Sequence, residues 1–348
     1  MTNKPSILSD SWYTNHLNEP VTNIDDYLNK KYPAFLIKIS GKLKFLKGFL
    51  FFITGKKFDV IVTHLSHDGV NTLLILEALF SKRKNRVVLL EFIRQTPLNS
   101  FRRNIWQLYT KIFFVPSLRK SLARAQVLTT KEKENYAYSF NIPPDKFCFV
   151  PWPIHGKNAS ESESAQSRAA FKPAINIDAP YVMVSGKANV DWETIFAVAE
   201  KSDWPLLAVC LAKQLERVKR LNKSGKVTIL HDISYEDHGQ YVKHATVYAL
   251  CLEATDVSVG QVRLMNTNEH EVPVVASAVA GLDGYAMDGV NALMVPPNNV
   301  DAFKDAVDKL MTNPELRHKL INSAKEFQQG RTFENYVDEV VKIIKLSK

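Results

Sequence analysis

The sequence predicts an α/β protein made of two doubly wound domains facing a central cleft, and three observations predict it. Short apolar runs alternate with segments of helical spacing along nearly the whole chain, the pattern of parallel sheets covered by helices. A polar segment from Gly156 to Ser167, rich in Ser and Glu, interrupts the alternation and is too poor in apolar residues to repay the entropy of ordering. The alternation then restarts, with no internal repeat of roughly 20 to 50 residues. At 348 residues and 45% apolar content the chain can bury two cores. The expected division is an N-terminal domain over 1–152, a linker over 153–176, a C-terminal domain over 177–330 and a last helix over 331–348, free to cross back to the first domain.

Residues 1–33 show weak periodicity and predict no firm element. Phe35, Leu36, Ile39, Leu43, Leu46, Leu50 and Ile53 then recur at helical spacing with Lys38, Lys42, Lys44 and Lys47 between them. Such a basic amphipathic helix suits either anionic lipid headgroups or an ordinary solvated face. Asp59 to Leu65 reads as a strand, Val70 to Phe80 as a helix and Arg86 to Phe92 as a strand. Phe101 to Ala125 is again apolar, aromatic and basic, and two such segments in one domain favour a membrane surface. No nucleic-acid module accompanies them, so nucleic acid is not an expected partner. Gln126–Thr129 and Phe147–Val150 read as strands flanking a helix over Lys131–Phe140.

In the second half, strands at Tyr181–Ser185, Leu206–Leu211, Val227–Leu230 and Thr246–Leu250 alternate with helices at about 191–201, 213–221 and 235–244. From Asp256 follow a Gly-Gln turn, a helix over Val262–His270, a strand over Val272–Ala276, a loop over Ala280–Gly284 and a strand over Ala292–Val295. Helices at about 300–312, 314–328 and 333–346 close the chain.

Charge divides unevenly. Residues 1–150 hold 23 Lys and Arg against 11 Asp and Glu, and residues 151–348 hold 22 against 25, so the first half faces something anionic. No apolar run reaches the roughly 18 residues of a spanning helix, and the polar start lacks a secretory core, so the expected location is the cytoplasm. Cys148, Cys210 and Cys251 lie in or beside apolar runs without CxxC spacing and read as structural thiols, with no metal or disulfide framework.

Ligands of parallel sheets bind beyond the strands' C-terminal ends. Ser185-Gly186-Lys187 stands at one such end, where glycine permits close backbone approach to a phosphate and lysine adds a charge; a plain turn is the alternative. Ser258-Val259-Gly260-Gln261 opens a helix at another, and Arg263, one turn in, reaches either a phosphate or a surface partner. On the N-terminal side, His64, His67 and Asp68 follow a strand, where a histidine can exchange protons near neutral pH, and Glu91 ends the next strand. Two histidines without a third ligand make a weak metal site.

The run from Val257 to about Phe327 resembles the C-terminal domain of family 4-like glycosyltransferases of the GT-B fold. It shares their Pro-Val-Val strand, their Gly loop and Asp-Gly turn, the Val-Pro-Pro strand end and a helix followed by Asn-Pro-x-Leu-Arg. The resemblance extends less strongly through residues 185–187 and 229–234. It implies a nucleotide-sugar donor as substrate, no further cofactor, and a lipid-linked or saccharide acceptor at the inner face of the plasma membrane, in surface polysaccharide synthesis. Transfer is then retaining and metal-independent, with the diphosphate on Lys187 and the Gly260-Gln261 amides. The family's two glutamates, separated by seven residues, fall on Ser258 and Asn266; both are missing, and Glu253 stands nearby in sequence as a substitute. That loss motivates the alternative of a degenerate scaffold that binds partners, with a sugar-nucleotide epimerase as a third choice.

Overall fold

The computed structural model describes residues 6–11, 14, 17, 20–94, 100–154, 171–255 and 257–347. Most of the expected linker and Asp256 lie outside them. The chain divides into two compact units, one of residues 1–150 with 334–348 and one of residues 151–333.

The first unit holds six parallel strands: β1 (Ile7–Ser9), β2 (Val21–Asn23), β3 (Val60–His64), β4 (Val87–Leu90), β5 (Leu122–Val127) and β6 (Phe147–Phe149). Their order is β2-β1-β3-β4-β5-β6, which reverses direction of growth between β1 and β3. The apolar strands are buried on both faces, as parallel strands under helices must be. Helices α1 (Ile24–Lys31), α2 (Ala34–Lys42), α3 (Lys44–Gly55), α4 (Val70–Phe80), α5 (Ser100–Tyr109), α6 (Val115–Ser121) and α7 (Thr130–Phe140) connect them. The core joins Leu8, Ile61 and Leu89 of the sheet to Phe51, Leu73 and Leu118 of three helices.

Two elements differ from expectation. The continuous helix expected over residues 35–53 is broken at Leu43, whose extended backbone (φ −111°, ψ 90°) separates α2 from α3. The strand expected at Gln126–Thr129 begins earlier, at Leu122, because the helical run ends at Ser121; Thr129 instead caps α7 through its side chain.

One buried ion pair fixes the start of β4. Arg86 donates from Nε and Nη2 to both oxygens of Glu77 on α4 (2.8 and 2.5 Å) and from Nη1 to the carbonyls of Gly55 and Phe58. Both side chains are nearly closed to solvent, so each charge depends on the other. The last helix, α14 (Phe333–Lys345), completes this unit; Tyr336, Val340 and Ile344 are buried, and the Tyr336 hydroxyl accepts from Gln126 Nε2 of β5 at 3.0 Å.

The second unit holds β7 (Val182–Ser185), β8 (Leu206–Cys210), β9 (Val227–His231), β10 (Val247–Leu250), β11 (Val274–Ser277) and β12 (Leu293–Val295), all parallel, in the order β12-β11-β10-β7-β8-β9. Its helices are α8 (Trp192–Glu200), α9 (Ala212–Leu221), α10 (Tyr235–His244), α11 (Gln261–Glu269), α12 (Val300–Thr312) and α13 (Pro314–Gln328). Val184, Ala208, Ala249 and Val275 of the strands pack with Ile195 and Phe303 of the helices. Where the chain enters and leaves this unit it is tied to itself: the Ile154 N–H donates to the Arg331 carbonyl at 2.8 Å, and the Arg331 guanidinium lies over the rings of Tyr285 and Phe327.

Candidate functional site

Each sheet reverses its winding once, and open α/β sheets bind ligands beyond the strand ends at that point. In the second unit the reversal lies between β7 and β10. The loops leaving these strands are stitched together: Asp191 N–H donates to Cys251 O, and Glu253 N–H donates to Asn189 O. Above them the first turn of α11 opens at Gly260, whose left-handed backbone (φ +83°) sets the helix axis.

A polar network crosses this point. Ser185 Oγ lies 2.8 Å from His238 Nε2 and 2.7 Å from the Tyr248 hydroxyl, which also donates to the Ser185 carbonyl. Arg263 Nη1 is 3.4 Å from His238 Nδ1. A guanidinium has only donors, so Nδ1 accepts, and Nε2 carries the proton that His238 gives to Ser185. Burial first, then the neighbouring cations Arg263, His270 and Lys187, push the His238 pKa down to about 3. The imidazole is therefore neutral near pH 7 and serves as a strut between the strand end and Arg263. Burial likewise pushes the Tyr248 hydroxyl up, so it stays protonated.

The expected donor residues occupy this region unevenly. Lys187 is exposed just beyond β7, and Gly186 is placed where a Cβ would run into Val190. Gln261 is buried at the start of α11, its Nε2 making no hydrogen bond among the described residues. Ser258 is half-buried in the loop before Gly260, and Asn266 is half-buried farther along α11. Glu253 lies 3.7 Å from Arg217, which is itself bonded by both Nε and Nη2 to Glu193. That pairing draws Glu253 into a surface charge cluster.

In the first unit the reversal lies between β1 and β3, and three side chains meet there. Asp10, nearly closed to solvent, follows β1 and accepts from the Thr63 hydroxyl (2.7 Å) and from the backbone N–H of His64 (3.2 Å). Its Oδ1 also lies 3.2 Å from His64 Nδ1. Beyond the ring, His64 Nε2 is 3.6 Å from Glu91 Oε1. Burial alone would lower the His64 pKa; the hydrogen bond and charge of Asp10, with the charge of Glu91, outweigh it and hold the pKa above the usual value. Burial raises the Glu91 carboxyl. Glu91 has a left-handed backbone (φ +49°), a strained conformation that residues at ligand sites often adopt, and its N–H donates to Gln126 Oε1.

His67 and Asp68 are not brought to this group. The chain turns after His64, so that His67 packs edge-on against Phe51 with burial lowering its pKa, while Asp68 pairs with Lys44 at 2.8 Å. Sequence reasoning found His64 and Glu91 but missed Asp10, His238 and Tyr248. Asp10 could have been found as an acid one residue beyond the apolar pair Ile7-Leu8, after Ser9; nothing marked His238 among the polar residues of its helix.

Residues 210–327 match the profile of the family described as glycosyl transferases group 1. Over 81 residues the chain is 38% identical to the D-inositol 3-phosphate glycosyltransferase of Kribbella flavida, covering 23% of this chain and 19% of that protein. Over 133 residues it is 26% identical to an uncharacterized glycosyltransferase, MJ1178, of Methanocaldococcus jannaschii, covering 38% and 37%. The matches thus span less than two-fifths of either relative. In structure it is similar to Anabaena Alr3699/HepE, solved in complex with UDP, with a TM-score of 0.67 and 12% identity over 98% of this chain and 99% of that one. Two parallel six-stranded sheets and this structural likeness give the chain the GT-B fold, and the match over 210–327 makes about a third of it, within the second unit, similar to the glycosyl transferases group 1 family.

Proposed function

We propose that the protein transfers a glycosyl group from a nucleotide-diphosphate sugar to a lipid-linked or saccharide acceptor at the inner face of the plasma membrane, in surface polysaccharide synthesis. The observation that carries this reading is that Lys187 follows β7 and the Gly260 opening of α11 follows β10, the two strands that flank the reversal where such a sheet binds ligands, with Arg263 one turn into that helix. An anion there is met by cations and helix amides. HepE, solved with UDP-glucose, directs attention to a UDP-sugar as the first donor to test.

The chemistry asked of the residues is modest. The bond from the anomeric carbon to the donor phosphate breaks, and charge develops on the departing diphosphate, where Lys187 and the Gly260 and Gln261 amides stabilise it. The acceptor hydroxyl forms the new bond and gives up its proton. His64, held by Asp10 and facing Glu91, is the group we assign to take part in that proton's transfer. Family resemblance supports retention of anomeric configuration and a reaction without metal.

Calorimetry across UDP-, GDP- and ADP-sugars, followed by turnover with the tightest binder, tests the reading. Lys187→Ala should lower turnover by about one to three orders of magnitude; unchanged kinetics would remove Lys187 from the mechanism. Ser258 and Asn266, neutral where carboxylates were expected, favour a second reading, a scaffold that has lost catalysis. Absence of binding to every sugar nucleotide would support that reading and defeat the first.

A further inference from the structure

The first unit carries an apolar surface of a kind that buried cores explain poorly. Phe35 is 65% exposed, Phe45 62%, Phe101 72%, Ile105 54%, Leu108 60% and Ile112 51%. On α5 the pattern is complete: Phe101, Ile105 and Leu108 recur at steps of four and three, Ile112 continues the row into the π-helical turn Thr110–Phe114, and no residue of α5 is buried. An amphipathic helix forms stably in water only when its apolar face is covered. Among the described residues nothing covers that face of α5.

The two segments that carry these residues hold charges of one sign, although Asp68 and Asp25 from neighbouring segments pair with Lys44 and Lys47. Neither residues 34–58 nor residues 100–121 contain an Asp or Glu, and Lys38, Lys42, Arg103 and Lys111 all stand exposed in them. The helices are neighbours rather than scattered: α2 packs on α3, α3 on α4, and α4 on the segment that continues α5. An ordinary solvated face would carry both signs of charge and few aromatic rings. A face of exposed Phe and Ile flanked by lysine and arginine matches the boundary between acyl chains and anionic headgroups.

We propose that this face of the first unit seats the protein on a bilayer containing anionic lipid, with Phe101, Ile105, Leu108 and Ile112 entering the acyl boundary and Lys38, Lys42, Arg103 and Lys111 lying on the headgroups. The inference deepens the membrane part of the proposed function by naming the surface that makes the contact. It does not depend on catalysis, because vesicle binding is read without substrate and donor binding is read without vesicles.

Flotation of the full chain with vesicles of phosphatidylcholine alone, or with about a third phosphatidylglycerol, is the test. Binding should favour the anionic vesicles and weaken severalfold as salt rises from about 0.05 to 0.5 M, since surface charge is screened over a shorter distance. Lys38→Glu with Lys42→Glu should lower anionic-vesicle partitioning roughly 30-fold or more, from about 1 kcal/mol for each basic residue lost. Phe101→Ser with Ile105→Ser should lower binding at both salt concentrations while leaving thermal unfolding and UDP-sugar binding unchanged, because both side chains are exposed. Failure of the wild-type chain to bind anionic vesicles at low salt would overturn the proposal. So would self-association at equal concentration that these serine substitutions abolish without affecting vesicle binding, which would assign the face to a second copy of the chain.

Discussion

Replacing Gly260 by alanine places one methyl group at the point on which the candidate donor site turns. Two costs can be worked from the structure. The backbone at Gly260 is left-handed, which costs a residue bearing a Cβ about 1–2 kcal/mol. The new Cβ would also lie 2.7 Å from Leu252 Cδ1 and 3.2 Å from Leu282 Cδ2, both buried side chains, and overpacking of this kind costs about 1–3 kcal/mol. The sum is about 2–5 kcal/mol, and it can be spent in two ways. If the turn keeps its shape, the second unit loses that stability, and its melting temperature falls by roughly 4–20 °C at about 2–4 °C per kcal/mol for a domain of this size. If the turn relaxes instead, the start of α11 moves, and nucleotide affinity falls while the melt changes less. Gly289→Ala separates the terms, because Gly289 is also left-handed (φ +68°) but has nothing within 4 Å of a built Cβ. It should show the backbone cost alone. Thermal unfolding with and without UDP, beside calorimetry, reads both routes. If Gly260→Ala matches Gly289→Ala in stability and the wild type in UDP affinity, the close approach at Gly260 has no consequence and the reasoning fails.

Glu77→Gln should destabilise the first unit by about 3–5 kcal/mol, because it leaves the Arg86 guanidinium buried against a neutral partner, and a loss under about 1 kcal/mol by urea denaturation would contradict this. The second unit should lose stability on acidification: an unfolded His238 takes a proton below about pH 6.5, whereas the folded one resists it down to about pH 3. His238→Gln should flatten this slope, and a variant with the wild-type slope in acid unfolding curves would argue against a neutral strut. The His64 contribution has the opposite sign, since its folded pKa is raised: it is fully present below about pH 6.5 and lost as pH rises through the folded value. Asp10→Asn should therefore cost the first unit most, about 1.5–3 kcal/mol, near pH 6 and less at pH 8.5, measured by denaturant titration at the two pH values.

Much of the fold could be read from periodicity because parallel strands covered on both faces appear as short, unbroken apolar runs. Val182–Ser185, Leu206–Cys210 and Val274–Ser277 are of this kind, and their helices follow at regular intervals. The edge of the first sheet could not be read in that way. β1 and β2 are three residues each, set in a polar stretch, and their pairing is decided by neighbours distant in sequence. Asp10 was hidden with them. The spacing of His64, His67 and Asp68 suggested one group, but in the folded chain a tight turn separates them, so that only His64 joins Asp10 and Glu91. In the second unit, Lys187 and Gly260 were found because turns at strand ends carry a recognisable chemistry. The bond network through Ser185, His238 and Tyr248 depends on contacts across 53 and 63 residues, which no local pattern reports.

The hydrogen bond between Ile154 and Arg331 also bears on how the chain reaches this structure. The first unit is discontinuous: α14 must return to β5 across the 183 residues of the second unit. Closing a flexible loop of that length would cost about 4–5 kcal/mol in entropy. Once the second unit has folded, its two ends are held together at 2.8 Å, and the loop that remains to be closed is only a few residues long. A second unit that folds first would therefore act as an entropic shortcut for the first. α14, whose Tyr336 meets Gln126 and through it the backbone of Glu91, then adds the last piece beside the candidate acid–base group.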